Sequence, residues 1–143
     1  MKQIIVFCII LASAAGCSYH DLGCTENANL FETAVTLKIA LGEKVCNVSG
    51  LAVRFEKVVN DSRCPKDVNC FTEGHVEVRL VVLNNDHPIG TLNLKSNQPL
   101  AELTIMERDY AFVLKSVSPY PVIGKATPPH KYRMVVEITP KGD

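Results

Sequence analysis

Histidine and cysteine are common metal ligands in proteins, and this chain has four histidines and six cysteines. The histidines lie far apart, and the chain has no H-x-H, H-x3-H or C-x2-C spacing, which are the motifs expected of a specific site. We therefore predict that the chain binds no metal and no cofactor. Surface or tether positions are expected for the four histidines, His20, His75, His87 and His130.

No motif for nucleophilic or acid–base catalysis is present either. The chain lacks G-x-S-x-G and a glycine-rich phosphate loop. A glycosidase needs two facing carboxylates, but the acidic residues near predicted turns form no distinctive pair: Asp61, Asp67, Glu73, Glu77, Asp86 and Asp109. We therefore predict that the protein is not an enzyme. A catalytic triad assembled only in three dimensions stays an alternative, because sequence order does not exclude one.

The N-terminal residues predict export. Lys2 is followed by an apolar run at residues 4–12 and then by small residues as far as Gly16, which is the pattern of a signal peptide at residues 1–16. The run is shorter than the roughly 20 residues that span a bilayer. The sequence Ala-Ala-Gly-Cys at residues 14–17 resembles a bacterial lipobox, although Ala14 replaces the usual leucine. We predict that Cys17 carries a lipid.

The number of cysteines supports this prediction. Cleavage after residue 16 removes Cys8 and leaves an odd number, in an oxidising compartment where a free thiol is a liability. Lipidation of Cys17 removes the odd cysteine and leaves four that can pair. The predicted location is the bacterial cell envelope, with a lipid-anchored N-terminus. The alternative is a soluble secreted or periplasmic protein.

The four remaining cysteines predict two disulfides. Cys64 and Cys70 enclose five residues, so that a bond between them would close a tight surface loop. Cys24 and Cys46 would then pair with each other. Four cysteines allow three connectivities, and the sequence alone does not exclude the other two.

The distribution of charge argues against one class of partner. Fifteen lysines and arginines balance fifteen acidic residues, and no basic run or acidic tail is present. Nucleic acid binding therefore has no electrostatic support. The predicted partners are the membrane, reached through the N-terminal lipid, and an unknown protein or small ligand.

Beyond a polar tether at residues 17–32, the hydrophobic pattern has a period of two and predicts a single domain at residues 33–143. Short strands separated by turn residues favour an all-β fold, an antiparallel β-sandwich of the immunoglobulin-like type. A small antiparallel β-barrel is the alternative. The predicted strands are residues 35–41, 44–48, 51–56, 76–83, 89–95, 100–105, 110–117 and 131–138.

The most distinctive segment is residues 61–74, which lies between two predicted strands. It contains D-S-R-C-P-x-D-V-x-C-x-x-x-G, and it resembles the same segment in a group of uncharacterised exported bacterial lipoproteins. The matching residues are Asp61, Ser62, Arg63, Cys64, Pro65, Asp67, Val68, Cys70 and Gly74. The group often has tryptophan at the position of Thr72, whereas this chain has no tryptophan. The resemblance implies a shared fold and export, and it implies no activity.

This segment has a structural and a functional interpretation. In the structural one, Asp61 or Ser62 accepts hydrogen bonds from loop amides, Gly74 adopts a backbone angle closed to other residues, and Arg63 pairs with Asp61 or Asp67. In the functional one, the loop is a recognition site made of Arg63, Pro65, Lys66, Asp67, Asn69 and Phe71.

A second candidate for recognition is Tyr120, which lies between two prolines on an extended segment. We predict a non-enzymatic lipoprotein of the cell envelope that serves as a binding or structural module. One alternative is a protease inhibitor that presents the Cys64–Cys70 loop, with Arg63, to a protease. Another is an envelope hydrolase whose site has no sequence motif.

Overall fold

Alternating apolar and polar side chains build nine strands and a short 3-10 helix in the computed structural model, which describes residues 23–142. The predicted signal peptide and Cys17 lie outside the described residues. The strands are β1 (Cys24–Glu26), β2 (Val35–Ala40), β3 (Lys44–Cys46), β4 (Leu51–Asp61), β5 (Val76–Asn84), β6 (His87–Lys95), β7 (Leu100–Ile105), β8 (Arg108–Ser118) and β9 (Arg133–Pro140), and the 3-10 helix is Pro129–Lys131.

These strands form two sheets that pack face to face. One sheet has the order β1-β3-β4-β5-β6 and the other the order β2-β9-β8-β7. All the neighbouring strands are antiparallel except β1 and β3. The two sheets are not hydrogen-bonded into a closed barrel. The predicted all-β antiparallel sandwich is confirmed.

The connections between the strands are mostly simple hairpins. Strands β3 to β6 follow one another in the first sheet, and β7 to β9 do so in the second. Immunoglobulin domains instead pair strands that are distant in sequence, through Greek-key connections. The sandwich therefore has a meander order within each sheet, and β2 reaches the second sheet by pairing with the last strand, β9.

The core consists of the inward-facing residues of both sheets. Phe55 and Leu80 from the first sheet are fully buried, as are Phe112, Met134 and Ile138 from the second. Burying a side chain of this size contributes about 1.5–3 kcal/mol to stability. Because inward and outward positions alternate, a shift of one residue in register would expose the whole set, and the core thus specifies the strand pairing.

The segment before residue 33 packs as part of the domain. β1 pairs in parallel with β3, and the Cys24–Cys46 disulfide joins the two strands. Leu30 and Phe31 are buried in the core, and the Phe31 ring lies edge-on to Tyr110 with centroids 5.3 Å apart. The part of the predicted tether from residue 24 onward is thus ordered, because its apolar residues and its cysteine contact the sandwich.

The two disulfides indicate the cellular compartment in part. The disulfides are Cys24–Cys46 and Cys64–Cys70, which confirms the predicted pairing. Disulfides form and persist in oxidising environments, so the domain belongs outside the cytoplasm, in an extracellular or periplasmic space. Among residues 23–142, no helix is long and apolar enough to cross a membrane.

Candidate functional site

The most elaborate part of the described chain is one end of the sandwich, which we call the loop end. It consists of the β4–β5 connection, residues 62–75, together with the β6–β7 turn, residues 96–99, and the β8–β9 connection, residues 119–132. The register of β4 and β5 places Asp61 opposite Val76 at this end, and that of β8 and β9 places Ser118 opposite Arg133. Residues far apart in sequence therefore meet here.

The β4–β5 connection begins as an extension of the hairpin. The Ser62 amide donates to the His75 carbonyl at 2.9 Å, and the Cys64 amide donates to the Glu73 carbonyl at 2.8 Å. Gly74 has φ +64°, and a Cβ atom built on it would lie 1.8 Å from the Ser62 carbonyl oxygen. Only glycine fits there, because it has no Cβ and tolerates positive φ. This agrees with the structural interpretation of Gly74.

The disulfide loop projects from this extension. Cys64 and Cys70 have Cα atoms 5.9 Å apart, and the loop between them contains Lys66 and Asp67, both exposed. Next to the loop, the Phe71 side chain is fully exposed, at 105% of its reference area. Of the six residues predicted for recognition, four are therefore exposed and Pro65 is half-buried; the exposed ones are Lys66, Asp67, Asn69 and Phe71.

Arg63, the sixth predicted recognition residue, is buried and points into the protein. Its Nε donates to Asp61 Oδ1 and its Nη2 to Asp61 Oδ2, both at 2.7 Å. The side chains are 7% exposed for Arg63 and 10% for Asp61. The sequence left the partner open between Asp61 and Asp67, and the structure selects Asp61.

The same guanidinium joins the two long connections. Arg63 Nη1 donates to the Val117 carbonyl at 2.6 Å, and Nη2 donates to the Pro119 carbonyl at 3.0 Å. Tyr132 Oη donates to Asp61 Oδ2 at 3.0 Å. The pair thus holds the start of the β4–β5 connection against both ends of the β8–β9 connection. Such a buried pair is stable only when its remaining polar atoms are hydrogen-bonded, as they are here.

Tyr120 completes this arrangement from the solvent side. The centroid of its ring lies 4.8 Å from the Arg63 guanidinium carbon and 5.4 Å from Lys66 Nζ, so that two cations contact one aromatic ring. The side chain is 40% exposed. Tyr120 therefore packs at the edge of the sandwich and still presents part of its ring to solvent.

The ion pair has a definite electrostatic signature. Burial alone would favour the neutral form of Asp61, but the hydrogen bonds and positive charge of Arg63, together with the Tyr132 hydroxyl, outweigh it and lower the pKa of Asp61 below 3.8. Burial and the hydrogen bond to Asp61 raise the pKa of Tyr132 above 10.0. Both groups therefore keep their usual charge states near neutral pH.

An open cleft of about 530 Å³ lies beside this network. Its lining includes Glu73, Ser96, Lys115 and Tyr120. Two of these polar side chains already have partners, because Ser96 Oγ accepts a hydrogen bond from the Val76 amide at 3.1 Å and Lys115 pairs with Glu137 at 3.0 Å. Among residues 23–142, no three metal-binding side chains converge here or elsewhere.

Sequence reasoning did not find the partners of Arg63 other than Asp61. The Val117 carbonyl lies 54 positions from Arg63, and Tyr132 lies 71 positions from Asp61. Local spacing carries no signal for such contacts, since they form only when the two sheets pack against each other. The one signal in the sequence was Tyr132, a tyrosine near the start of a predicted strand and next to a long proline-containing connection.

Comparisons with known proteins leave the chain without an assigned relative: no family model, no curated protein and no solved structure matches it.

Proposed function

We propose that this protein is a non-enzymatic, lipid-anchored module of the bacterial cell envelope, and that the loop end is its binding surface. The observation that carries the proposal is the combination of rigidity and exposure at one end of the sandwich. A disulfide and a buried ion pair fix the two long connections, and these same connections expose large apolar side chains: Phe71, Tyr120, Val122 and Ile123.

Both parts of this combination favour binding. Groups of exposed apolar residues commonly mark interaction sites. Fixing the connections in advance reduces the conformational entropy lost on binding. Loops on a rigid scaffold are the usual position for recognition residues.

The anchor is supported by the sequence. The lipobox-like residues before Cys17 and the pairing of all four later cysteines leave Cys17 as the residue available for acylation. The resemblance of residues 61–74 to exported bacterial lipoproteins points the same way. Mass spectrometry of the protein extracted from membranes tests this part. We expect two disulfides and acyl groups on Cys17, with the acyl mass absent from Cys17→Ser; an unmodified Cys17 would overturn the assignment.

Site-specific photocrosslinking in cells tests the binding surface. A photoreactive phenylalanine analogue replaces Phe71 in one variant and Val48 in another. Val48 is 85% exposed in the β3–β4 turn, at the opposite end of the sandwich, and so matches Phe71 in exposure but not in position. We expect crosslinked products from position 71 and not from position 48. Equal yields from both positions would show that the loop end is not the binding surface.

A further inference from the structure

The direction in which the chain enters the sandwich orients the loop end. β4 runs toward the loop end and ends there at Asp61. β1 is parallel to β3, which is antiparallel to β4, so β1 runs away from the loop end. The N-terminal end of β1, at Cys24, is therefore the end of that strand nearer to the loop end.

The length of the tether is matched to this geometry. Cys24 is level with Lys44 and therefore with Arg54 of β4, and Asp61 lies seven positions further along β4. At about 3.3 Å per residue, β4 extends roughly 20 Å beyond the level of β1. Five residues lie between Cys17 and Gly23, and the six steps from one to the other span at most about 20 Å when fully extended. A lipid on Cys17 cannot lie far beyond the loop end.

The chemistry of the loop end suits a membrane surface. Phe71 is fully exposed, and Val122 and Ile123 of the β8–β9 connection are 49% and 57% exposed. Aromatic and aliphatic side chains of this kind enter the boundary between headgroups and acyl chains. Residues 119–132 also contain Lys125 and Lys131 but no acidic residue, which favours anionic headgroups there. In the β4–β5 connection, exposed Lys66 is offset by exposed Asp67 and Glu73, so the attraction comes from residues 119–132.

We propose that the partner of the loop end is the lipid bilayer to which the N-terminus is attached. This inference rests on the proposed lipid anchor and names the partner of the proposed binding surface. The short tether holds the domain with its loop end on the headgroups, Phe71 inserts into the interface, and Lys125 and Lys131 contact anionic lipids. The opposite end, which contains the β3–β4 turn, then faces away from the membrane.

Fluorescence gives a direct test, because the chain has no tryptophan and any tryptophan introduced is a unique reporter. The lipidated protein is reconstituted into vesicles of phosphatidylethanolamine and phosphatidylglycerol as Phe71→Trp or, for the control, Val48→Trp. We expect the emission of Phe71→Trp to shift to shorter wavelength and to be quenched by lipids brominated on their acyl chains. The emission of Val48→Trp is expected to match that of a tryptophan in water.

The outcomes distinguish failure of the lipid anchor from failure of the inference that the loop end contacts the bilayer. Vesicle flotation and intact mass report whether the anchor is present. A protein that lacks acyl groups and does not float would contradict both the proposed anchor and the inference. A protein that floats but has Phe71→Trp no more quenched than Val48→Trp overturns the inference alone and leaves the anchor intact. Crosslinks from position 71 to a protein rather than to lipid would also overturn it.

A binding measurement adds a quantitative criterion. The mature chain carrying Cys17→Ser has no anchor, so that its affinity for the same vesicles reports the loop end itself. We expect Phe71→Ala to weaken this affinity about tenfold, as loss of one buried phenylalanine ring implies, and Val48→Ala to leave it unchanged. Equal affinities for both variants would contradict the inference.

Discussion

Replacing Arg63 by alanine is the most direct test of the network that fixes the loop end. The substitution removes two hydrogen bonds of 2.7 Å to Asp61 and two to the carbonyl groups of Val117 and Pro119. It also leaves the Asp61 carboxylate, 10% exposed, without its counter-ion. Removing one partner of a buried pair costs about 3–5 kcal/mol. Because the pair lies at the end of the sandwich, near solvent, we expect the free energy of unfolding to fall by an amount at the lower end of this range, about 3 kcal/mol.

Urea denaturation of residues 17–143 with both disulfides intact measures this loss, with far-UV circular dichroism as the signal. Lys66→Ala is the matched control, since Lys66 contacts the same tyrosine ring from the exposed side, and its removal should cost less than about 0.5 kcal/mol. Asp61→Asn combined with Arg63→Ala should recover about 1–2 kcal/mol of the loss, because it removes the unpaired charge.

Two results would refute this reasoning. If Arg63→Ala lowers the free energy of unfolding no more than Lys66→Ala does, the buried pair does not hold the loop end. If Asp61→Asn lowers the free energy of unfolding as much in the Arg63→Ala background as it does alone, the two side chains are not energetically coupled, although the 2.7 Å distances between them indicate coupling.

Three further predictions concern other parts of the fold. The pKa of Asp61 is lowered below its ordinary 3.8, so the ionised carboxylate stabilises the fold fully above pH 3.8 and this effect is lost as the pH falls through the folded-state pKa. The difference in the free energy of unfolding between wild type and Asp61→Asn, measured by urea titration, should therefore shrink below pH 3.8. A difference that stays constant with pH would exclude this linkage. Gly74→Ala should lower the melting temperature more than Gly42→Ala does, because both glycines have positive φ but only the Cβ at position 74 would also meet a backbone oxygen. Equal decreases in melting temperature would contradict this. Replacing Cys24 and Cys46 by serine should lower stability in the same assay by about 3 kcal/mol, as expected for a disulfide that closes a loop of this length, and an unchanged melting temperature would count against it.

Much of the fold was accessible from the sequence because half-buried strands alternate visibly. The predicted strand at residues 100–105 has the observed bounds of β7, and residues 76–83 differ from β5 by one residue. β1 was missed because three residues are too few to show a period, and its position depends on pairing with β3. β4 was predicted too short, since register shifts against β5 after Phe55 interrupt its alternation.

The candidate site was accessible only in outline. Composition and spacing identified the disulfide loop and left a short set of partners for Arg63. Whether Arg63 faced outward depended on the carbonyl groups of Val117 and Pro119, which reach it only through the packing of the two sheets. Exposure at Phe71 likewise depends on which face of the loop packs, and a single apolar residue has no periodicity from which to infer it.

The Cys24–Cys46 disulfide also determines how the domain would respond to a mechanical load. A pull on the N-terminal segment reaches Cys24, the first residue of β1, and passes through the covalent bond into β3. The hydrogen bonds of a three-residue edge strand, which would otherwise peel away one after another, are thereby bypassed. The force enters β3 at Cys46, which pairs with Ala52 of β4, one strand nearer to the interior of the sheet. A tethered protein exposed to shear would thus be held by its strongest linkage at the point where tension enters.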